Sequence, residues 1–175
     1  MRRILFVLGA PYLPGSITGA NVSVHALCRR LKADGFDPLV VCAADAAPGN
    51  PGSPMLGYTV LRLEDPVAAM LEIMDRLAPE ATVVYGAQTA ARTLEATASA
   101  PRRLHFYFTT TFYGFPEPKP ESAEFVRYAV NSRYLETFGR AYLGLAPAVV
   151  PPLFDPADYR CEPRGEAILF VNPIA

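Results

Sequence analysis

The chain has 175 residues, a length typical of one domain with a hydrophobic core of its own. Hydrophobic residues make up 51% of it and charged residues 19%, a balance that excludes an intrinsically disordered chain. Sixteen Lys and Arg residues stand against 17 Asp and Glu, for a formal net charge of -1. This charge argues against a nucleic-acid-binding protein, because such proteins carry a basic excess.

Cysteine and histidine are too few to suggest a metal centre. Cys28, Cys42 and Cys161 show no C-x-x-C spacing, and His25 and His105 are the two histidines of the sequence. We therefore predict no metal site and interpret the first two cysteines as small core residues. An odd number of cysteines fits a reducing compartment better than a disulfide framework, so the predicted location is the cytoplasm.

The amino-terminal apolar run is the segment most similar to a targeting signal. It follows Arg2 and Arg3, but it lacks an A-x-A cleavage pattern and runs directly into Pro11. No apolar run approaches the roughly 18 residues that a membrane span needs. We interpret the run as a buried first strand and predict no membrane span.

Strands and helices are predicted to alternate along the chain. Short apolar runs rich in Val and Ile indicate buried strands, and apolar residues at helical spacing indicate helices. The predicted strands cover residues 3–8, 38–43, 57–63, 82–85, 104–108, 129–131, 148–150 and 166–172. The predicted helices begin at residue 20, for about four turns, and then cover 66–77, 87–98, 121–128 and 133–143.

This alternation predicts an α/β fold with a doubly wound, mostly parallel, Rossmann-like sheet in a three-layer α/β/α arrangement. Ligands of such sheets bind beyond the carboxyl ends of the strands, close to the point where the strand order reverses. The loops expected to contact a ligand are therefore those at residues 9–19, 86–89 and 109–120.

The glycine-rich loop after the first strand is the first candidate site. Its spacing is neither G-x-G-x-x-G nor a loop ending in G-K-[ST], which excludes both the dinucleotide fingerprint and the NTP-hydrolysing P-loop. Gly15, Thr18 and Gly19 nevertheless precede a helix, whose N-terminal N–H groups favour anions. They are candidates for phosphate contact, although a connection that needs glycine only for its turns explains the same residues.

An aromatic stretch at residues 105–115 is the second candidate. Strand alternation places His105 and Tyr107 on one face, with Phe106 and Phe108 on the other. Aromatic faces suit sugar or base rings, and ordinary core packing is the alternative. His25 is either an acid/base candidate close to the glycine-rich loop or a solvent-facing helix residue. No G-x-S-x-G elbow or hydrolytic triad is recognisable.

Segments in consistent order resemble the N-terminal half of a GT-B glycosyltransferase of the family 4 kind. The similarity extends over nearly the whole chain. The segments that carry it are R-I-L-F-V at 3–7 with Pro11, Pro14 and Gly15, T-G at 18–19 with L-C-R-R-L at 27–31 and G-F at 35–36, V-N-S-R-Y at 130–134, V-P-P-L-F-D at 150–155, and I-L-F-V-N-P at 168–173.

The resemblance implies three regions. Residues 1–152 would form the Rossmann-like acceptor-side domain, 153–165 an interdomain linker, and 166–175 the first strand of a truncated second domain that holds the donor in the family. The chain would then be half of a retaining glycosyltransferase that moves a sugar from a nucleotide-sugar to an acceptor. We expect it to be inactive alone, and its strand at 166–172 to pair with its own domain or with another copy.

The resemblance also implies roles for individual residues. Gly15, Thr18 and Gly19 would lie at the donor phosphates, and no cofactor beyond the nucleotide-sugar co-substrate is implied. The catalytic residue stays unassigned, because threonines follow the strand at 104–108 where family members often carry a histidine. The expected acceptor cleft contains His25, Gly86, Gln88, Thr109, Thr110 and Tyr113.

Two other functions remain open from the sequence. One is a stand-alone Rossmann-like module that binds a nucleotide or another phosphate ligand without catalysis. The other is a non-catalytic interaction domain, which is favoured if no cleft exists at the carboxyl ends of the strands.

Overall fold

Parallel strands form a single sheet through the protein. The structure is a computed structural model, and it describes residues 2–44, 56–98, 103–108 and 125–153. Within these ranges the sheet has seven strands, all paired in parallel. They are β1 (Arg2–Pro11), β2 (Phe36–Ala43), β3 (Thr59–Leu63), β4 (Ala81–Tyr85), β5 (Leu104–Phe108), β6 (Val126–Val130) and β7 (Ala148–Val149).

Four helices within the same ranges connect the strands. They are α1 (Gly19–Ala33), α2 (Pro66–Leu77), α3 (Ala87–Thr97) and α4 (Arg133–Leu143). Side chains just before three of them satisfy N–H groups of the first turn: Thr18 for α1, Asp65 for α2 and Ser132 for α4. α2 also begins with Pro66, whose missing N–H costs nothing at that position.

The strand order is β3-β2-β1-β4-β5-β6-β7. The chain starts in the middle of the sheet, adds β2 and β3 on one side of β1, and then returns to add β4 on the other side. The order therefore reverses between β1 and β4, where Leu8 is paired with Tyr85. The predicted fold class, an α/β protein with a Rossmann-like parallel sheet, is confirmed.

Both faces of the central strands are buried, which explains why they appear in the sequence as unbroken apolar runs. Val7 and Phe106 pack on one face together with residues of α2, α3 and α4. Phe6 and Val40 pack on the opposite face with Cys28 of α1. The layers are thus helix, sheet and helix. Burial raises the pKa of the Cys28 thiol, as expected for a core cysteine.

The prediction of a short helix over residues 121–128 is wrong where the structure describes it. Residues 126–128 belong to β6, which pairs with β5 on one side and β7 on the other. The pairing of residues 126–128 with β5 outweighs the local preference of so short a segment.

The predicted linker and final strand belong to the region after residue 153, which lies outside the described residues. No helix in the described ranges has the length and apolar character needed to cross a membrane.

Candidate functional site

A cleft of about 450 Å³ opens at the carboxyl ends of β1 and β4, where the strand order reverses. Leu8 and Tyr85 form the last pair between the two strands, and beyond it the chain leads to opposite faces of the sheet. β1 leads to α1 on one face, and β4 leads to α3 on the other. The diverging connections leave a crevice between them, as expected at a switch point.

The floor of this switch-point cleft is a close approach between β1 and α3. The backbone N–H of Gly9 donates a hydrogen bond to Thr89 Oγ1 over 3.2 Å. A Cβ atom at Gly9 would lie 2.5 Å from the same oxygen. Gly9 therefore lacks a side chain because the first turn of α3 occupies that space.

The N-terminus of α3 forms one wall of the cleft. Gly86 has a φ of 91°, a value that favours glycine, and its N–H donates to the Tyr107 carbonyl over 3.2 Å. Ala87 and Gln88 follow as the first helical residues, and no side chain caps this helix. The N–H groups of the first turn thus give this wall a partial positive charge.

The N-terminus of α1 forms the opposite wall and is satisfied from within the protein. Thr18 Oγ1 accepts a hydrogen bond from the Asn21 N–H over 3.1 Å. The Asn21 side chain, only 4% exposed, donates to the carbonyls of Pro11 and Ser16. These bonds tie the glycine-rich loop to α1, so this helix end has fewer N–H groups left for a ligand than α3 has.

The structure brings some of the candidate residues together and separates others. Thr18, Gly86 and Gln88 line the switch-point cleft, whereas Gly15 and Gly19 are not among the lining residues described. A Cβ at Gly19 would meet nothing within 4 Å. The remaining candidates in the loop after β5, Thr109, Thr110 and Tyr113, lie outside the described residues.

His25 takes part in a hydrogen-bonded chain with two tyrosines between α1 and the sheet. Its Nδ1 is 2.7 Å from the Tyr58 hydroxyl, which is 2.8 Å from the Tyr12 hydroxyl. Tyr12 is fully buried, and burial raises the pKa of both phenols, so both stay neutral.

One direction of donation satisfies all three groups of this chain. Tyr12 then donates to Tyr58, and Tyr58 donates to Nδ1 of a neutral His25 with its proton on Nε2. The reverse direction leaves the buried Tyr12 proton without an acceptor. The three groups together fasten the end of β1 to α1 and to the start of β3.

His105 lies near the amino end of β5, away from the switch-point cleft at the carboxyl ends. Burial lowers the pKa of its imidazole, and the nearby guanidinium groups of Arg127 and Arg103 lower it further. Tyr107, on the same face of β5, donates from its hydroxyl to the Val150 carbonyl over 2.7 Å. It thereby holds the exit of β7 against the sheet.

Arg92 brings a cation to the cleft on the exposed side of α3. Its Nη2 is 2.6 Å from Asp65 Oδ2, while Oδ1 of the same carboxylate accepts from the N–H groups of Val67 and Ala68. The Ala68 N–H and the Arg92 guanidinium together lower the pKa of Asp65. The carboxylate thus caps α2 and holds Arg92 at the cleft.

Asp65→Asn is expected to make the stability of the fold less sensitive to a fall in pH. Because the pKa of Asp65 is lower in the folded state, its ionised form stabilises the fold above its unfolded pKa, and this contribution is lost as the pH falls through the folded value. The variant keeps an oxygen to cap α2. The difference in Tm between wild type and D65N should shrink from neutral pH to about pH 3. A difference that stays constant with pH would contradict this assignment.

Sequence reasoning placed Gly9 and Thr89 in loops expected to contact a ligand, but it gave neither an individual role. It did not predict that Asn21 and Arg92 line the site. These roles depend on contacts between distant segments, since Gly9 and Thr89 are 80 residues apart.

The comparisons with known proteins give no relative for this chain: no protein-family model matches it, and no curated protein matches it either. Within the described ranges, no group of three or more His, Cys, Asp or Glu residues comes together in a way that could hold a metal ion.

Proposed function

We propose that this chain is the acceptor-side half of a retaining glycosyltransferase, and that its switch-point cleft holds the acceptor beside the diphosphate of a nucleotide-sugar. The observation that carries the proposal is the open crevice between β1 and β4, with an uncapped helix end on one wall. A crevice at this place is where parallel α/β sheets bind their ligands.

Sugar transfer needs groups that stabilise negative charge, and the α3 wall of the cleft has such groups. As the bond from the sugar to the diphosphate breaks, negative charge develops on the leaving group. N–H groups fixed at the start of α3 and the guanidinium of Arg92 would stabilise that charge, because they are oriented before the reaction begins. Polar groups at Thr18 and Gln88 would orient the hydroxyl groups of the acceptor.

Within the described residues the cleft is lined by the ends of β1 and β4, the loop before α1, and the first turns of α1 and α3, and it is open to solvent. A donor held on one side keeps most of its contacts with water. We therefore expect weak nucleotide binding and no sugar transfer by the 175-residue chain alone.

A second function, a phosphate- or nucleotide-binding module without catalysis, is favoured by the same uncapped N-terminus of α3. Such a module would bind its ligand tightly with no further domain. The two functions therefore predict different affinities of the isolated chain for a nucleotide, so a titration distinguishes them.

The test is a calorimetric titration of the 175-residue chain with UDP and UDP-glucose, together with an assay for release of UDP in the presence of simple sugars. Millimolar affinity without release supports the half-transferase, low-micromolar affinity without release supports the binding module, and rapid release contradicts both. Arg92→Gln should weaken UDP binding about 2- to 5-fold, as expected for a half-exposed cation. The control, Arg76→Gln, removes a more exposed charge on α2 that does not line the cleft, and it should change nothing.

A further inference from the structure

The two walls of the switch-point cleft differ in charge. The α3 wall contains Arg92, which lines the cleft while its Nη2 bonds to Asp65. The α1 wall, formed by the end of β1, the loop after it and the first turn of α1, contributes no charged side chain within the described residues. A ligand that spans the cleft therefore meets a cation on one side and neutral groups on the other.

The polar groups of the α1 wall are largely bonded to one another. The Ser16 N–H donates to the Tyr12 carbonyl over 3.2 Å, and the Ser16 carbonyl accepts from the Asn21 side chain over 2.8 Å. The same side chain donates to the Pro11 carbonyl, and the Asn21 N–H donates to Thr18 Oγ1. The hydroxyl groups of Ser16 and Thr18 remain as side-chain donors toward a ligand.

The rest of the α1 wall is apolar. Ala10, Pro11 and Ala20 line it with side chains that have no polar atom. Ile17 lies between the two hydroxyl-bearing residues of the loop, and it is 79% exposed, the largest value among the large apolar side chains in the described ranges. The α1 wall thus combines two hydroxyl groups with apolar side chains in the cleft and beside it.

Hydrogen bonds hold the loop on both sides of Ile17. Before it, the Leu13 carbonyl accepts from Arg62, and after it, Thr18 Oγ1 accepts from the Asn21 N–H. A loop that is fastened at both ends is not free to fold back and bury the isoleucine. Exposed aliphatic surface gains free energy when an apolar group covers it, so Ile17 is suited to contact an apolar part of a ligand.

We propose that the acceptor is an alcohol with an apolar skeleton rather than a free sugar, and that Ile17 is a specificity-determining residue; this inference rests on the proposed function. Ser16 and Thr18 orient the reacting hydroxyl, and the apolar side chains of the α1 wall cover the skeleton. The bond from the donor sugar to the diphosphate breaks, a bond to the acceptor oxygen forms, and the hydroxyl proton goes to the released nucleoside diphosphate. A sugar ring would lose water from several hydroxyl groups that find no partner on apolar side chains.

The test compares three probes that share a phosphoryl group: phenyl phosphate, glucose 6-phosphate and inorganic phosphate. The first two are monoesters of equal charge, so they differ only in the body that would reach the α1 wall. Backbone amide NMR of the ¹⁵N-labelled chain, at constant ionic strength, measures the three affinities. Phenyl phosphate should bind at least about 5-fold more tightly than glucose 6-phosphate, with shifts at Ile17 and Ala20 that inorganic phosphate does not cause.

Two variants of Ile17 test its role. Ile17→Ser should weaken the binding of phenyl phosphate about 3- to 10-fold and leave that of inorganic phosphate unchanged, because only the phenyl ring covers the side chain. Ile17→Val keeps most of the apolar surface and should keep most of the affinity. The control, Tyr134→Ser, removes an exposed side chain of α4 that does not line the cleft, and it should change nothing. Circular dichroism checks that all three variants are folded.

Equal or tighter binding of glucose 6-phosphate would overturn the inference. So would an Ile17→Ser variant that weakens all three probes alike, or that weakens phenyl phosphate no more than Tyr134→Ser does. Either result leaves the proposed function in place with a sugar as the acceptor, provided that the probes shift the amides of Gly86 and Gln88. If no probe shifts these two amides, the α3 wall binds no anion, and both the proposed function and this inference are wrong.

Discussion

Gly9→Ala is expected to destabilise the protein by about 1–3 kcal/mol, the range for overpacking a tight contact. The new methyl group would lie 2.5 Å from Thr89 Oγ1, and Thr89 is itself buried in the first turn of α3. Relief of this clash requires the threonine to rotate, which breaks its bond to the Gly9 N–H, or α3 to move away from β1. Urea unfolding measures the free energy directly.

A double-mutant cycle separates this clash from a general cost of the substitution. Thr89→Ala removes the offending oxygen, and the remaining distance from a Gly9 methyl to the Thr89 Cβ is 3.5 Å, an ordinary contact. G9A/T89A should therefore be within about 0.5 kcal/mol of T89A alone. Gly19→Ala is the matched control, because a Cβ there meets nothing within 4 Å. If G9A is as stable as G19A, β1 and α3 are not in the contact described.

Tyr58→Phe should destabilise the fold by about 1–3 kcal/mol, the cost of leaving a buried polar group without its partner. Tyr58 provides the hydrogen-bond partner of the Tyr12 hydroxyl, and Tyr12 is fully buried. Tyr12→Phe should cost less, about 0.5–1.5 kcal/mol, because Tyr58 would keep its bond to His25. Equilibrium unfolding in urea again provides the measurement.

The effect of Tyr12→Phe on stability should depend on whether the Tyr58 hydroxyl is present. Tyr12→Phe should destabilise the wild type but stabilise the Y58F variant, since it removes the orphaned hydroxyl. Tyr134→Phe, on an exposed tyrosine of α4, should have no measurable effect. Simple additivity of Y12F and Y58F would show that the three groups do not form one hydrogen-bonded chain.

Much of the fold could be predicted because the local sequence patterns agree with the packing of the folded chain. The bounds of α2, β5 and α4 match the predicted ones, and both helices have a capping side chain and a turn signal at their ends. The apolar run of β1 predicted a strand covered on both faces, and the two clusters of core residues occupy those faces. The helix prediction failed at residues 126–128 because β6, with five residues, is too short for periodicity to distinguish a strand from a helix.

The site was less predictable, because its contacts join distant parts of the chain. The switch-point rule placed the candidate site at the carboxyl edge of the sheet, where the structure has a cleft lined by Thr18, Gly86 and Gln88 among others. Spacing alone does not reveal that Asn21 satisfies two loop carbonyls or that α3, rather than α1, has the uncapped N-terminus. Nor does it show that a tyrosine 33 residues away from His25 lies within hydrogen-bond distance of its ring.

The proposed ligand site lies between β1 and β4, at the uncapped end of α3. The direct measurement is a map of backbone amide NMR shifts in the ¹⁵N-labelled chain during titration with UDP-glucose. We predict that the largest shifts fall on Gly9, Gly86, Gln88 and Thr89, and that Arg92→Gln reduces them. Saturable shifts that leave these amides unchanged and appear elsewhere on the chain would contradict the proposed site.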